Sequence, residues 1–129
     1  MKVDHKTEEK QQLFYALVLL ALAIANTNKD LKQRDKDVLC KILITEMERS
    51  YPQSNYSDII YHGLKKERRD FNTTYNWAIH SMRLLSQSFS ADMKLHFVDV
   101  IRKVVDSFPP PEYDKHEIVD QFKFDLASF

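Results

Sequence analysis

The sequence predicts an all-α protein, a single compact domain of about six helices around a buried first helix. Three observations lead there. The run from Leu13 to Ala25, L-F-Y-A-L-V-L-L-A-L-A-I-A, has no polar break on any face, and a helix apolar all round is buried on most sides. Gly63 is the only glycine in 129 residues, whereas sheets, hairpins and phosphate-cradling loops want glycine at special backbone angles. The other apolar residues recur at helical spacing between short polar or proline-containing breaks.

The apolar run reaches roughly 20 Å as a helix. A bilayer needs about 20 apolar residues, so the run reads as the centre of a bundle rather than a membrane span. A chain of 129 residues fits one domain and buries about two thirds of its unfolded surface without staples. Nineteen Lys and Arg balance nineteen Asp and Glu, and the signs are interspersed. No global field draws the chain to nucleic acid or to anionic lipid. Cys40 is alone, which excludes a disulfide framework and points to a reducing, cytoplasmic setting. After Ala25 the sequence N-T-N-K-D reads as a loop rather than a cleavage site, so no cleaved signal is expected.

Residues 1–6 are expected to be a flexible lead-in to a domain over 7–129. Thr7 can cap the first helix, with Glu8 and Glu9 at its positive end, and Asn26 closes it. Asp30-Leu31-Lys32-Gln33 is a capping-box pattern for a second helix to about Arg49, with Leu31, Val38, Leu39, Ile42, Leu43 and Met47 inward. Ser50-Tyr51-Pro52 ends it. A short third helix from Ser54 to about His62 buries Ile59, Ile60 and Leu64, and Gly63 marks its end. Asp70 or Asn72 caps a fourth helix to about Phe89, whose inward face is Tyr75, Ala78, Ile79, Met82, Leu85 and Phe89. Ser90 caps a fifth, with Met93, Phe97, Ile101, Val104 and Phe108 as its stripe and Leu95, Val98 and Val105 widening it. Pro109-Pro110-Pro111 stops that helix. Asp114-Lys115-His116-Glu117 is a second capping box, and the sixth helix buries Ile118, Val119, Phe122 and Leu126.

The second and sixth helices begin alike: an apolar residue is followed four positions later by an acid, Leu31 with Asp35 and Tyr113 with Glu117. A helix–loop–helix unit used twice is one reading, and two ordinary capped helices are the other. Ala25-Asn26-Thr27 leads into Asn28-Lys29-Asp30-Leu31-Lys32-Gln33-Arg34-Asp35, and Val105-Asp106 leads through the prolines to Glu112-Tyr113-Asp114-Lys115-His116-Glu117. Together with the opening L-F-Y-A-L and His62-Gly63-Leu64-Lys65, this order resembles the TerB-like family, found in tellurite-resistance TerB and in the N-terminal part of DjlA co-chaperones. That family's motif is A-D-G-x-I-x-x-x-E in each half. Here Asn28 stands in place of its acid, Leu31 of its Ile and Asp35 of its Glu, and the motif glycine is missing from both loops. The likeness covers roughly Gln11 to Phe124. It implies an all-α module in stress response or chaperone-associated work. The H-P-D tripeptide of a J-domain is absent, so DnaK stimulation is not implied.

Few constellations carry chemistry. Asp92, His96 and Asp99 at i, i+4 and i+7 put two carboxylates and an imidazole on one helical face, a candidate divalent-metal site. A solvated polar face opposite Phe97 and Ile101 is the plainer reading. The loop acids Asp30, Asp35, Asp106 and Glu112 are alternative ligands. Asp58 with His62 supplies only two ligands. His116-Glu117-Ile118-Val119-Asp120 lacks the second histidine of a zincin. Cys40 between apolar neighbours reads as a half-buried packing residue rather than a nucleophile, and His80 near Tyr75 and Trp77 as a structural histidine.

Lys65, Lys66, Arg68 and Arg69 form the only basic cluster, diluted by Glu67 and Asp70. Nucleic-acid binding would want more such groups along one face. With Tyr75 and Trp77 close in sequence, the cluster is the expected partner-binding surface, since Trp, Tyr and Arg dominate interface energetics. Peripheral contact with a lipid surface is the other use of such a cluster. The expected function is therefore a non-enzymatic protein-interaction module with no cofactor; a divalent-metal-binding stress-response protein is the alternative.

Overall fold

The computed structural model describes residues 5–27, 32–50, 58, 60, 63, 70–111 and 114–129. Among them the chain is all-helical: α1 (His5–Asn26), α2 (Gln33–Ser50), α3 (Phe71–Leu84), α4 (Ala91–Ser107) and α5 (Lys115–Ala127), with a 3-10 turn at Ser86–Ser88 between α3 and α4. No helix among the described residues is long and apolar enough to cross a membrane.

The architecture follows from α1. From Leu13 to Ala25 every side chain is buried except Tyr15 and Leu19, which are half-buried. α1 packs most extensively on α3, then on α4, and touches the 3-10 turn. α4 in turn carries α2 on one side and α5 on another. Each fully buried Leu, Val or Phe stabilises such a core by about 1.5–3 kcal/mol. Phe14, Phe89 and Phe97 interlock at the centre, with ring centroids 5.8 Å apart for Phe14–Phe97 and 4.8 Å for Phe89–Phe97.

The helix starts are set locally. Asp70 accepts from the Thr73 N–H at 3.2 Å, Ser90 from the Met93 N–H at 3.2 Å, and Asp114 from the His116 N–H at 2.8 Å. Each satisfies one of the donors that a helix N-terminus leaves over. Two starts differ from expectation. α1 already spans Thr7, so that residue does not cap it. α2 begins at Gln33, and it is Asp35 that reaches back to the Lys32 N–H at 3.2 Å. The side chain that reaches back is thus Asp35, two residues later than the Gln33 of the Asp30-x-x-Gln33 pattern; Asp30 and Leu31 lie outside the described residues.

Other corrections are physical. α3 stops at Leu84 rather than near Phe89. The serines that follow compete for backbone hydrogen bonds and favour turns, and Ser88 Oγ donates to the Glu9 carboxylate, drawing the turn onto the start of α1. Val38 is 45% exposed and Leu95 66% exposed, so neither belongs to the core; in their place Thr74 and Val100 are buried. Asp58, Ile60 and Gly63 have helical backbone and Ile60 is buried, whereas Ile59, His62 and Leu64 lie outside the described residues. Gly63 lies against α1: a Cβ on it would stand 2.7 Å from Val18 Cγ1.

Candidate functional site

α3 and α5 both pack against the core, α3 on α1 and α5 on α4. Between them runs an open groove of about 630 Å³. Its apolar part is Phe71, Tyr75, Ile79 and Ile118. Polar side chains of α3 form one wall, Asn72, Asn76, His80 and Arg83, at i, i+4, i+8 and i+11. The other wall is α5, with Asp114, Glu117, Gln121 and Asp125.

The two walls are tied at one point. Tyr75 donates its hydroxyl to Asp125 Oδ2 at 2.5 Å, and Gln121 Nε2 donates to Asp125 Oδ1 at 3.0 Å. The Tyr75 ring sits edge-on to Phe122 at 6.5 Å and tilted against Phe71 at 5.8 Å. Burial, then the hydrogen bond to the Asp125 carboxylate and its charge, hold the Tyr75 phenol well above its ordinary value of 10.0. It therefore stays protonated and acts as a donor. At the end of the α3 wall, the Arg83 guanidinium lies 5.3 Å over the Phe129 ring. Lys94 Nζ lies 5.6 Å from that ring and donates to the Phe129 carbonyl at 2.7 Å. Phe129 is thereby clamped between α3 and α4.

Of the expected partner surface, the groove contains Tyr75 and excludes Trp77. Two residues along a helix turn by about 200°, and Trp77 faces Tyr15 of α1 edge-on at 6.3 Å. The two aromatics therefore serve different contacts. Lys65, Lys66, Arg68 and Arg69 lie outside the described residues. His80, expected as a structural histidine, is exposed on the groove wall.

The metal candidates are dispersed among other duties. Asp35 caps α2. Asp92 is exposed in the first turn of α4. His96 is half-buried, and exposed Asp99 pairs with Arg102 at 3.0 Å. Asp106 is exposed near the end of α4, and Asp30 and Glu112 lie outside the described residues. Among the described residues no three His, Cys, Asp or Glu are grouped so as to hold a metal ion. Asp58, His116, Glu117 and Asp120 are exposed on their helices. Cys40 is half-buried, and burial together with the charge of Asp37 pushes its thiol up, the opposite of what a nucleophilic thiolate needs.

The groove residues that sequence reasoning did not single out are Asn76, Arg83, Gln121 and Asp125, and Asn72 was named only as a possible cap. The available signal was the polar row on α3, spaced like a stripe and flanked by an apolar one. Compared with protein-family models, curated proteins and solved structures, the chain matches none of them.

Proposed function

We propose that this chain is a non-enzymatic helical protein-interaction module whose α3/α5 groove receives a peptide segment of a partner protein. One observation carries the reading: an open groove with an apolar floor and hydrogen-bonding walls, built on two helices anchored in the core. Sites of this make-up, apolar with a few placed polar groups, are where ligands bind. The groove offers recognition but no nucleophile set beside a base. Its tyrosine is a fixed donor and its one buried-side carboxylate is engaged.

The likeness of the sequence to the TerB-like family supports the same reading, and with it a stress-response or chaperone-associated setting in the cytoplasm. The basic run Lys65, Lys66, Arg68 and Arg69 directly precedes α3 in sequence and stays in the proposal as a second partner-contacting segment.

The test is site-specific photo-crosslinking in cells, with the crosslinking residue placed at Asn76 in the groove or at Leu95, which is exposed on α4. A partner captured from position 76, absent from position 95 and lost when Asn72→Trp fills the groove, is the expected result. Equal capture from both positions, or no capture at 76, would refute the reading.

A further inference from the structure

The α3 wall carries two carboxamides, Asn72 and Asn76, at i and i+4, both exposed along the groove. A carboxamide has both donors and an acceptor, so it can satisfy the N–H and the C=O of one residue of an extended chain together, since these point to the same side. Residues i and i+4 are one turn apart, roughly 6 Å along a helix. An extended peptide repeats every two residues, or roughly 6.7 Å. The pair is thus spaced to hold alternate residues of an extended chain. His80 and Arg83 continue the row, the Arg83 guanidinium being drawn away over the Phe129 ring. From Asn72 to Arg83 the wall is roughly 16 Å long, room for about five extended residues.

The opposite wall differs in kind. Asp114, the N-cap of α5, and Glu117 are exposed carboxylates, and Asp125, already bonded to Tyr75 and Gln121, closes the row. In an extended segment, side chains alternate between two faces. Those facing the floor meet Phe71, Ile79 and Ile118, which suits Val, Ile or Thr. Those facing out can lean across to the carboxylates, which suits Lys or Arg.

Resting on the groove reading above, the geometry points to the class of partner: an extended segment of about five residues in which basic and apolar side chains alternate. Its backbone is held by Asn72 and Asn76, and its basic side chains by Asp114 and Glu117. The partner is therefore a basic strand-like peptide, not a helix.

The test uses three fluorescein-labelled hexapeptides: one alternating Lys with Val, one alternating Glu with Val, and the Lys/Val peptide methylated on alternate backbone nitrogens. Binding is read by anisotropy and by NMR shifts of the side-chain amides of Asn72 and Asn76. The expected result is that the Lys/Val peptide moves those signals, while the other two bind at least about tenfold more weakly. Asn76→Ala should weaken the Lys/Val peptide by a similar factor, and Glu117→Lys should reverse the preference between Lys/Val and Glu/Val. Both positions are exposed, so the fold is retained. Equal binding of all three peptides, or no movement of the Asn72 and Asn76 signals, would overturn the assignment. A partner crosslinked at Asn76 alongside silent Lys/Val peptides would overturn the basic extended class alone. Loss of crosslinking at Asn76 would remove the groove reading beneath it.

Discussion

Replacing Gly63 by alanine sets two opposing effects against each other, and the structure decides the sign. Gly63 is helical and buried. On propensity alone, alanine in a helix is about 1 kcal/mol better than glycine. The added Cβ, however, would stand 2.7 Å from Val18 Cγ1, 3.3 Å from Leu22 Cδ1 and 3.6 Å from Leu19 Cδ2. The closest of these belongs to a β-branched residue in the middle of α1. Val18 is 0% exposed, and in a helix valine is nearly confined to one χ1 rotamer. It cannot turn the methyl away, so α1 and the segment carrying residue 63 must separate. Overpacking of this kind costs about 1–3 kcal/mol. The net is a loss of about 1 kcal/mol. At roughly 2.1 cal/mol/K per residue over the chain, the midpoint should fall by about 3–4 °C. Val18→Ala removes the obstructing methyl and is itself destabilising by about 2 kcal/mol. Combined with Gly63→Ala, the new methyl enters the space vacated, so the double variant should be more stable than the sum predicts by about 1 kcal/mol. Thermal and urea unfolding of the four proteins measures this coupling. A higher midpoint for Gly63→Ala, or additivity within about 0.5 kcal/mol, would refute the close-approach argument.

Glu46 is buried on α2 and bonded to the Lys103 ammonium of α4, whose side chain is 47% exposed. Lys103→Met should cost about 1–2 kcal/mol in urea unfolding, below the fully buried case because solvent screens the lysine, and Glu46→Leu added to it should recover most of that. Tyr75 has its folded value raised above 10.0, so its contribution is complete below about pH 10 and is lost as pH rises beyond. Tyr75→Phe should flatten the alkaline fall in melting midpoint, and tyrosinate absorbance should show one phenol ionising late. Asp35→Ala should lose about 0.5–1 kcal/mol through the α2 cap. Ca²⁺, Mg²⁺, Mn²⁺ and Zn²⁺ should leave the midpoint of the parent protein in place. A rise of several degrees with one ion, abolished in Asp35→Ala or Asp99→Ala, would bring the metal-binding alternative forward.

Elements whose causes are local were legible. Ser90 and Asp114 cap α4 and α5 as their positions in the sequence require, because an N-cap interacts only with the next two or three residues. The Leu13–Ala25 run is buried as expected, since a helix without a polar face has nowhere else to go. Val38 and Leu95 were misread for a reason that periodicity cannot supply. The width of a buried stripe depends on how many neighbours flank the helix, and each of these residues sits just past the edge. Glu46 shows the converse. It falls on the inward stripe of α2 with Leu39 and Leu43, and it is tolerable there because Lys103 arrives from 57 positions away.

The candidate site was legible only where one helix carries it. Tyr75 could be named from sequence, but its partner Asp125 is 50 residues distant, and no local pattern links the two. Trp77 was grouped with Tyr75 by proximity along the chain, whereas helical rotation sends it to Tyr15 on α1. The groove exists because α1 fixes α3 and α4 fixes α5, leaving the two outer helices joined, among the described residues, by the Tyr75–Asp125 hydrogen bond, the Tyr75–Phe122 ring contact and the Phe129 clamp rather than by a continuous apolar seam. A seam would have written itself into both helices as matching apolar stripes. In its place, α3 presents two amides with His80 and Arg83, and α5 presents Glu117, Gln121 and Asp125, polar groups that gain less from each other across an open gap than from a peptide between them. That asymmetry ties the fold to the proposed function. Exchanging the walls' chemistry, through Asn76→Asp with Glu117→Gln, should leave the unfolding free energy within about 0.5 kcal/mol of the parent, as exposed positions do, while it disrupts recognition. A large loss of stability from that exchange would mean that the walls serve the fold and not a partner.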